Sequence, residues 1–239
     1  MARRAVILAG GRGTRLLPYT TVFPKPLMPI GDTPILEVVL RQLAAHGFER
    51  ATLAVGHLAE LIEAFFGDGS KFGIGIDYCR EDEPLGTAGS LAYVAGLTEP
   101  FLVMNGDVLT TLDYSAFLLA HASSSAAASI AVKAREQRID FGIVEMDQEG
   151  DVVGYVEKPV QTHHVSIGVY AFLPSVLGFI ERGEYLDFPD LVLRLIGSGQ
   201  RVRSVAFDGY WLDIGRHDDL ARAQEEFESM RERLLQGGP

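Results

Sequence analysis

Near the start of the chain an apolar run ends in a glycine-rich stretch, ILAGGRGTRL, and a lysine held between two prolines, FPKPL, follows shortly after. These residue types suit an anion. Gly10, Gly11 and Gly13 allow a tight turn and a close approach of backbone to ligand. Successive exposed amides in such a turn form an anion-binding concavity. Arg12, Arg15 and Lys25 add positive charge, with Arg15 suited to bidentate contact with phosphate oxygens and Lys25 to a point charge. Pro24 and Pro26 stiffen the segment that carries Lys25. Two familiar phosphate patterns are not met: the stretch reads G-G-x-G-x-R rather than G-x-G-x-x-G, and no G-K-S/T follows a glycine at the required distance. Taken alone, the loop serves a plain turn equally well.

Transfer at a phosphorus centre needs a divalent cation to neutralise the triphosphate. Mg²⁺ takes oxygen ligands and usually only one or two protein carboxylates. Asp107 in FLVMNGDV and Asp213 in YWLDIG each follow an apolar run. Each on its own is also a common turn residue, but two aspartates at strand ends could converge on one metal. Lys158 in YVEKPV is either a surface lysine or the holder of a second phosphate, and Glu157 beside it could accept sugar hydroxyls. His163 and His164 are read as a solvated pair and Cys79 as a packing residue.

These groups must be positioned by regular elements. AVILAG, ATLAVG, IGIDYC and PFLVMNGD read as strands. They alternate with helical patterns in TPILEVVLRQLAAHG, HLAELIEAFFGDG and TAGSLAYVAGL. Asp32 or Thr33 is expected to cap the first helix, with Pro34 in its first turn. Strict alternation implies right-handed βαβ units and a parallel sheet, whose carboxyl edge is where open α/β sheets bind ligands. The second half has more strands, in ASIAVKA, FGIVEMD, VVGYVEKP and VSIGVYAFL. A helix in FPDLVLRLIGSG, a hairpin in RVRSVAFDGYWLDIG and a terminal amphipathic helix follow. SSSAAAS (Ser123–Ser129) reads as a helix end and a turn. The expected fold class is α/β: a Rossmann-like three-layer sandwich with a mostly parallel central sheet and an antiparallel extension that covers a substrate.

The chain has 239 residues, 47% hydrophobic and 22% charged, with a net charge of −11 and one cysteine. The acidic balance argues against nucleic acid as a partner. No run of apolar residues is long enough for a membrane span, and the N-terminal apolar run is too short for a signal-peptide core. A cytoplasmic setting is expected. A single domain over residues 1–239 is expected, in two subregions, about 1–112 and, with the C-terminal helix, about 113–239. The terminal helix sets Leu220, Ala223, Phe227, Met230 and Leu234 on one side, for packing on its own domain or for a homodimer seam.

In order along the chain, the glycine loop with Arg15 and Lys25, PLGTAGSL, NGD, FGIVE, EKP and WLDIG resemble the sugar-1-phosphate nucleotidylyltransferase family over about residues 4–220. The resemblance is nearest to members acting on mannose 1-phosphate with GTP. It implies Mg²⁺-dependent transfer of a nucleoside monophosphate from GTP to a mannose- or heptose-like sugar 1-phosphate. It implies catalytic roles for Arg15, Lys25 and Asp107. Nucleotide contacts are implied at Leu8, Ala9, Gly10, Gly11, Gly13, Thr14, Arg15, Lys25, Gly86 and Thr87. Sugar-phosphate contacts are implied at Asn105, Gly142, Glu157 and Lys158, and metal ligation at Asp107 and Asp213. Another triphosphate, a cyclitol phosphate acceptor, or a silent nucleotide-sugar-binding regulatory subunit remain as alternatives. A silent member is expected to lose one of Arg15, Lys25, Asp107 or Asp213, and all are present. A glycosyltransferase would need D-x-D, which the chain lacks. Larger relatives add a β-helix or acyltransferase domain that this sequence does not show.

Overall fold

The computed structural model describes residues 3–81 and 83–235. In chain order its strands are β1 (Arg4–Leu8), β2 (Pro29–Ile30), β3 (Thr33–Pro34), β4 (Arg50–Val55), β5 (Gly75–Arg80), β6 (Phe101–Asn105), β7 (Val108–Thr110), β8 (Ala128–Arg138), β9 (Ile143–Met146), β10 (Val152–Val156), β11 (Val160–Phe172), β12 (Val202–Ala206) and β13 (Trp211–Asp213). The α-helices are α1 (Ile35–Ala45), α2 (Ala59–Phe66), α3 (Gly86–Gly89), α4 (Tyr114–Ala122), α5 (Phe188–Gly197) and α6 (His217–Leu235).

Seven strands form one sheet in the order β12-β8-β11-β6-β1-β4-β5. All run the same way except β11, which is antiparallel to both β6 and β8. Strands with continuous apolar runs such as β1 (RAVIL) and β6 (FLVMN) need cover on both faces. One face packs under α1, α2 and α4 through residues such as Leu40, Phe66 and Phe117. The other packs under α5 and the α3 segment through Leu91, Phe188 and Leu191. This is the expected three-layer α/β sandwich with antiparallel additions.

A third cluster joins α6 to α1 and the loop after β1, through Leu16, Ile30, Ile35, Leu220 and Phe227. The apolar side of α6 therefore packs on its own chain. Among the described residues no helix is long and apolar enough to cross a membrane.

Several sequence expectations are corrected. Residues 201–215 are no hairpin: β12 extends the main sheet parallel to β8, while β13 pairs with β7 in a separate ribbon. Thr111 N–H donates to Tyr210 C=O at 3.1 Å, which draws the chain away from β12 and onto β7. Neither Asp32 nor Thr33 caps α1, because Asp32 bonds Arg231 and the Thr33 hydroxyl while Thr33–Pro34 pairs with Pro29–Ile30. The α4 helix over Tyr114–Ala122 is not read from the sequence pattern, although Asp113 caps it by accepting Ala116 N–H at 2.8 Å. Ser123 does end that helix, but Ala128 and Ser129 already belong to β8. The helix read over TAGSLAYVAGL is one short α turn that tightens into a 3-10 turn over Ser90–Tyr93.

Candidate active site

The parallel strands end level with one another. Leu8 lies beside Ala54 and Asn105, and Val55 beside Arg80. Hydrogen bonds carry this alignment one residue past the strands. Ala9 N–H donates to Ala54 C=O at 2.8 Å, Gly106 N–H to Leu8 C=O at 2.9 Å, and Glu81 N–H to Val55 C=O at 2.9 Å. The loops that leave this edge enclose two adjoining clefts.

The first cleft, about 340 Å³, is lined by Leu8, Ala9, Gly11, Gly13, Thr14, Arg15, Lys25, Pro26, Thr87, Asn105, Gly106 and Asp107. The glycine loop is shaped by Gly13, whose φ of +59° is left-handed and opens a 3-10 turn over Thr14–Leu16. Gly13 C=O accepts Leu16 N–H at 2.8 Å and the Thr20 hydroxyl at 2.9 Å. The Lys25 side chain is nearly buried and its ammonium pairs with Asp107 Oδ2. Asp107 Oδ1 is buried with no hydrogen-bond partner among the described residues. Asn105, at the end of β6, packs its amide against Gly168.

Asp213 does not end a strand of the main sheet. The β7–β13 ribbon brings it to the site, placing it opposite Val108, and Ile214 N–H donates to Asp107 C=O at 3.0 Å. Burial, then the neighbouring Asp107 charge, pushes the Asp213 carboxyl up, while Lys25 and Arg15 pull it down. The Arg15 guanidinium lies against Gly215, where a Cβ would stand 3.1 Å from Nη1. Two carboxylates, two cations and the glycine loop thus share one edge of the sheet. Among the described residues, no group of three or more His, Cys, Asp or Glu is arranged to hold a metal ion.

The second cleft, about 450 Å³, is lined by Leu8, Gly10, Gly11, Arg12, Ala54, Gly56, His57, Glu81, Glu83, Pro84, Gly86, Thr87, Tyr185 and Asp187. Gly86 has a φ of +75°, and a Cβ there would stand 2.5 Å from Leu186 O. Burial pushes the Glu81 carboxyl up. Leu8, Gly11 and Thr87 line both clefts.

Gly142, Glu157 and Lys158 line neither cleft. They flank the two-stranded β9–β10 ribbon, where Tyr155 O–H donates to Glu157 Oε2 at 3.1 Å. Lys158 has a left-handed φ of +46° and an exposed side chain, its Nζ 3.9 Å from Glu157 Oε1. The glycine loop, Lys25, Asn105, Asp107 and Asp213 come together, whereas three of the four residues expected at the sugar phosphate, Gly142, Glu157 and Lys158, stand by a separate ribbon. Sequence reasoning missed His57, Glu81, Tyr185 and Asp187. Glu81 had a signal, since REDEPLG leads straight from the end of a strand into the Gly86 turn. Asp187 had none, because an aspartate before Phe-Pro reads simply as a helix cap.

Residues 4–230 match the family model described as nucleotidyl transferase. The chain is 35% identical to a UTP--glucose-1-phosphate uridylyltransferase from Synechocystis, over 92% of this chain and 62% of that one. It is also 35% identical to a mannose-1-phosphate guanylyltransferase from Mycobacterium tuberculosis, over 93% of this chain and 64% of that one. The chain thus spans less than two thirds of the length of these relatives. Among solved structures, HddC from Yersinia pseudotuberculosis superposes with a TM-score of 0.71 at 27% identity, over 94% of this chain and 99% of that one. Its complex with GMP-PN gives a TM-score of 0.69 at 25% identity over the same shares.

Proposed function

The chain belongs to the nucleotidyl transferase family, and from that premise we propose that it transfers a nucleoside monophosphate from GTP to a mannose- or heptose-like sugar 1-phosphate. The observation that carries the reading is the convergence of the glycine loop, Lys25, Asp107 and Asp213 where the parallel strands end. In this reading residues 1–239 act as one domain, with about 1–112 serving the nucleotide and about 113–239 the sugar phosphate.

The carboxylates fit a divalent cation. Asp107 Oδ1 is buried without a hydrogen-bond partner among the described residues, and Asp213 is pushed toward its neutral form by burial and then by the adjacent Asp107 charge. Two hard oxygen donors of this kind suit Mg²⁺, which takes its remaining ligands from water and substrate phosphates. A bound Mg²⁺ would neutralise triphosphate charge and polarise the α-phosphate. The chain's own groups do the positioning. Arg15 and the loop amides hold the β- and γ-phosphates, and Lys25 faces the charge that grows at the α-phosphate. A sugar phosphate oxygen, already ionised near neutral pH, forms a bond to the α-phosphorus while the bond from that phosphorus to the bridging oxygen breaks. Pyrophosphate leaves with the electron pair, and no general base is required. Lys158 and Glu157 take the sugar phosphate if the β9–β10 ribbon contributes to the acceptor side.

Glu81 in the second cleft supports guanine. Carboxyl oxygens accept hydrogen bonds, and guanine offers two neighbouring donors on its pairing edge where uracil offers one. The name of the Mycobacterium tuberculosis relative supports the same nucleotide, and that of the Synechocystis relative supports UTP. The test is pyrophosphate release with Mg²⁺ across the four ribonucleoside triphosphates and dTTP, each against a panel of sugar and cyclitol 1-phosphates. Release with GTP and a mannose- or heptose-type acceptor, abolished by EDTA, is expected. Release with UTP alone would overturn the choice of nucleotide and leave the reaction class standing.

A further inference from the structure

Asp187 occupies the N-cap position of α5, yet its side chain caps nothing there. It reaches instead to a residue one hundred positions earlier. Asp187 Oδ1 accepts Thr87 N–H at 2.9 Å and Thr87 O–H at 3.1 Å. The Thr87 oxygen in turn accepts Phe188 N–H at 2.8 Å. Each residue therefore satisfies a helix-start amide of the other's segment, as a capping box does within one helix. Leu186 C=O accepts Ala88 N–H at 2.8 Å and Gly89 N–H at 3.2 Å, and Leu186 N–H returns to Leu85 C=O at 2.9 Å. Tyr185 O–H donates to the other Asp187 oxygen at 3.2 Å. Thr87, the residue so held, lines both clefts.

We propose that Asp187 is a positioning residue for the nucleotide: through Thr87 it locks the Gly86–Thr87 turn between the two clefts. This rests on the nucleotidyl-transfer reading. It follows that Asp187 governs nucleotide affinity and leaves the chemical step largely alone, because it acts on the wall of the nucleotide cleft and not on the Lys25–Asp107 group.

The experiment measures steady-state pyrophosphate release and calorimetric GTP binding for wild type, Asp187→Ala, Asp187→Asn, Thr87→Val and the Asp187→Ala/Thr87→Val double variant. Asp187→Ala and Thr87→Val are expected to raise the KM and Kd for GTP about tenfold, with kcat and the sugar-phosphate KM changed less than about threefold. Asp187→Asn keeps an accepting oxygen and is expected to restore most of the affinity. The double variant is expected to fall short of the sum of the two single effects, since both single variants remove the bond from Thr87 O–H to Asp187 Oδ1. An active wild type whose Asp187→Ala variant keeps its GTP affinity overturns the proposal alone, and so does strict additivity in the double variant. A wild type that neither turns over nor binds any triphosphate overturns the nucleotidyl-transfer reading and this proposal with it.

Discussion

Gly13 and Gly11 stand two positions apart in one loop and should answer differently to the same added methyl group. Gly13 has a left-handed φ of +59°, and a Cβ there would meet Thr20 Cγ2 at 2.9 Å and Lys25 Cβ at 3.4 Å. A left-handed backbone costs an L-residue about 1–2 kcal/mol. Moving Thr20 aside endangers its hydrogen bond to Gly13 C=O, worth about 1 kcal/mol net. Gly13→Ala should therefore cost about 2–3 kcal/mol. For a chain of this size that lowers the melting temperature by about 5–10 °C. The methyl also presses on the stem of Lys25, and misplacing a catalytic group by about an ångström can cost a hundredfold in rate. A fall of about ten- to a hundredfold in kcat/KM is expected. Gly11 has no left-handed φ, and nothing lies within 4 Å of a Cβ built there. Gly11→Ala should leave stability within about 0.5 kcal/mol. Its methyl would project into space that the phosphates need, so the nucleotide KM should rise while melting is unchanged. Thermal melts and pyrophosphate-release kinetics on both variants decide the matter. A Gly13→Ala variant that melts with wild type refutes the steric argument, and a Gly11→Ala variant with unaltered nucleotide KM refutes the assignment of the loop to phosphate.

Three further outcomes are expected. Asp107→Asn should fold, because Asp213 remains as a counter-charge near Lys25, and should lose about a hundred- to a thousandfold in kcat; near-normal Mg²⁺-dependent turnover in a well-folded variant would remove Asp107 from the metal site. Asp213→Asn should raise the melting temperature in EDTA at neutral pH while lowering turnover at least about tenfold. The raised Asp213 pKa means that its charged form is costlier in the fold than in the unfolded chain. That penalty is present above the folded pKa and vanishes below the ordinary carboxylate value, so the melts of variant and wild type should converge in acid; a constant offset at all pH values would contradict this. His121 is 1% exposed and its ring nitrogen lies 2.8 Å from Ser129 Oγ. Burial, and secondarily Arg203, lowers its pKa from 6.5 to about 4. The unfolded chain then takes up a proton that the fold refuses, and about 3 kcal/mol of stability should be lost as pH falls through that window. His121→Gln should flatten that part of the profile, as read from urea midpoints at each pH.

What the sequence made legible was local and periodic. The strands β1, β4, β5 and β6 show as apolar runs with glycine or polar ends, and the helices between them show as amphipathic patterns, so the parallel core and its carboxyl edge follow. The glycine loop and Asp107 fall within a few residues of that edge, and the proline-braced segment returns Lys25 to it, which is why their convergence could be foreseen. Asp213 was expected beside Asp107 but by the wrong route. Nothing in YWLDIG shows that it leaves β12 to pair with the VLT of β7, because register between distant short strands is set by tertiary packing. Helix α4 was missed for a related reason: its apolar residues are spread round the helix without a clear face, as befits a segment packed among β6, β8 and β11. The Asp187–Thr87 exchange was invisible because its members are one hundred residues apart, and each reads locally as an ordinary helix-start residue.

The ribbon that carries Asp213 also explains how the site can hold two carboxylates at all. Each alone would be tolerable at a strand end, but together they repel, and among the described residues Lys25 and Arg15 are the charges that offset them at Asp213. Lys25 engages one Asp107 oxygen and leaves the other buried without a hydrogen-bond partner among the described residues. The protein keeps the arrangement because the backbone on either side is fixed: Ile214 N–H binds Asp107 C=O, and β7 and β13 are paired through Val108 and Asp213. Backbone hydrogen bonds do not titrate, so they hold the carboxylates in place whatever their charge state. A cation bound between them therefore relieves repulsion already built into the fold and needs little rearrangement of the chain. In this account the metal stabilises the protein by its full affinity for a formed site, so that the neutralising variant Asp213→Asn and the metal-loaded wild type are two separate ways of removing one electrostatic penalty.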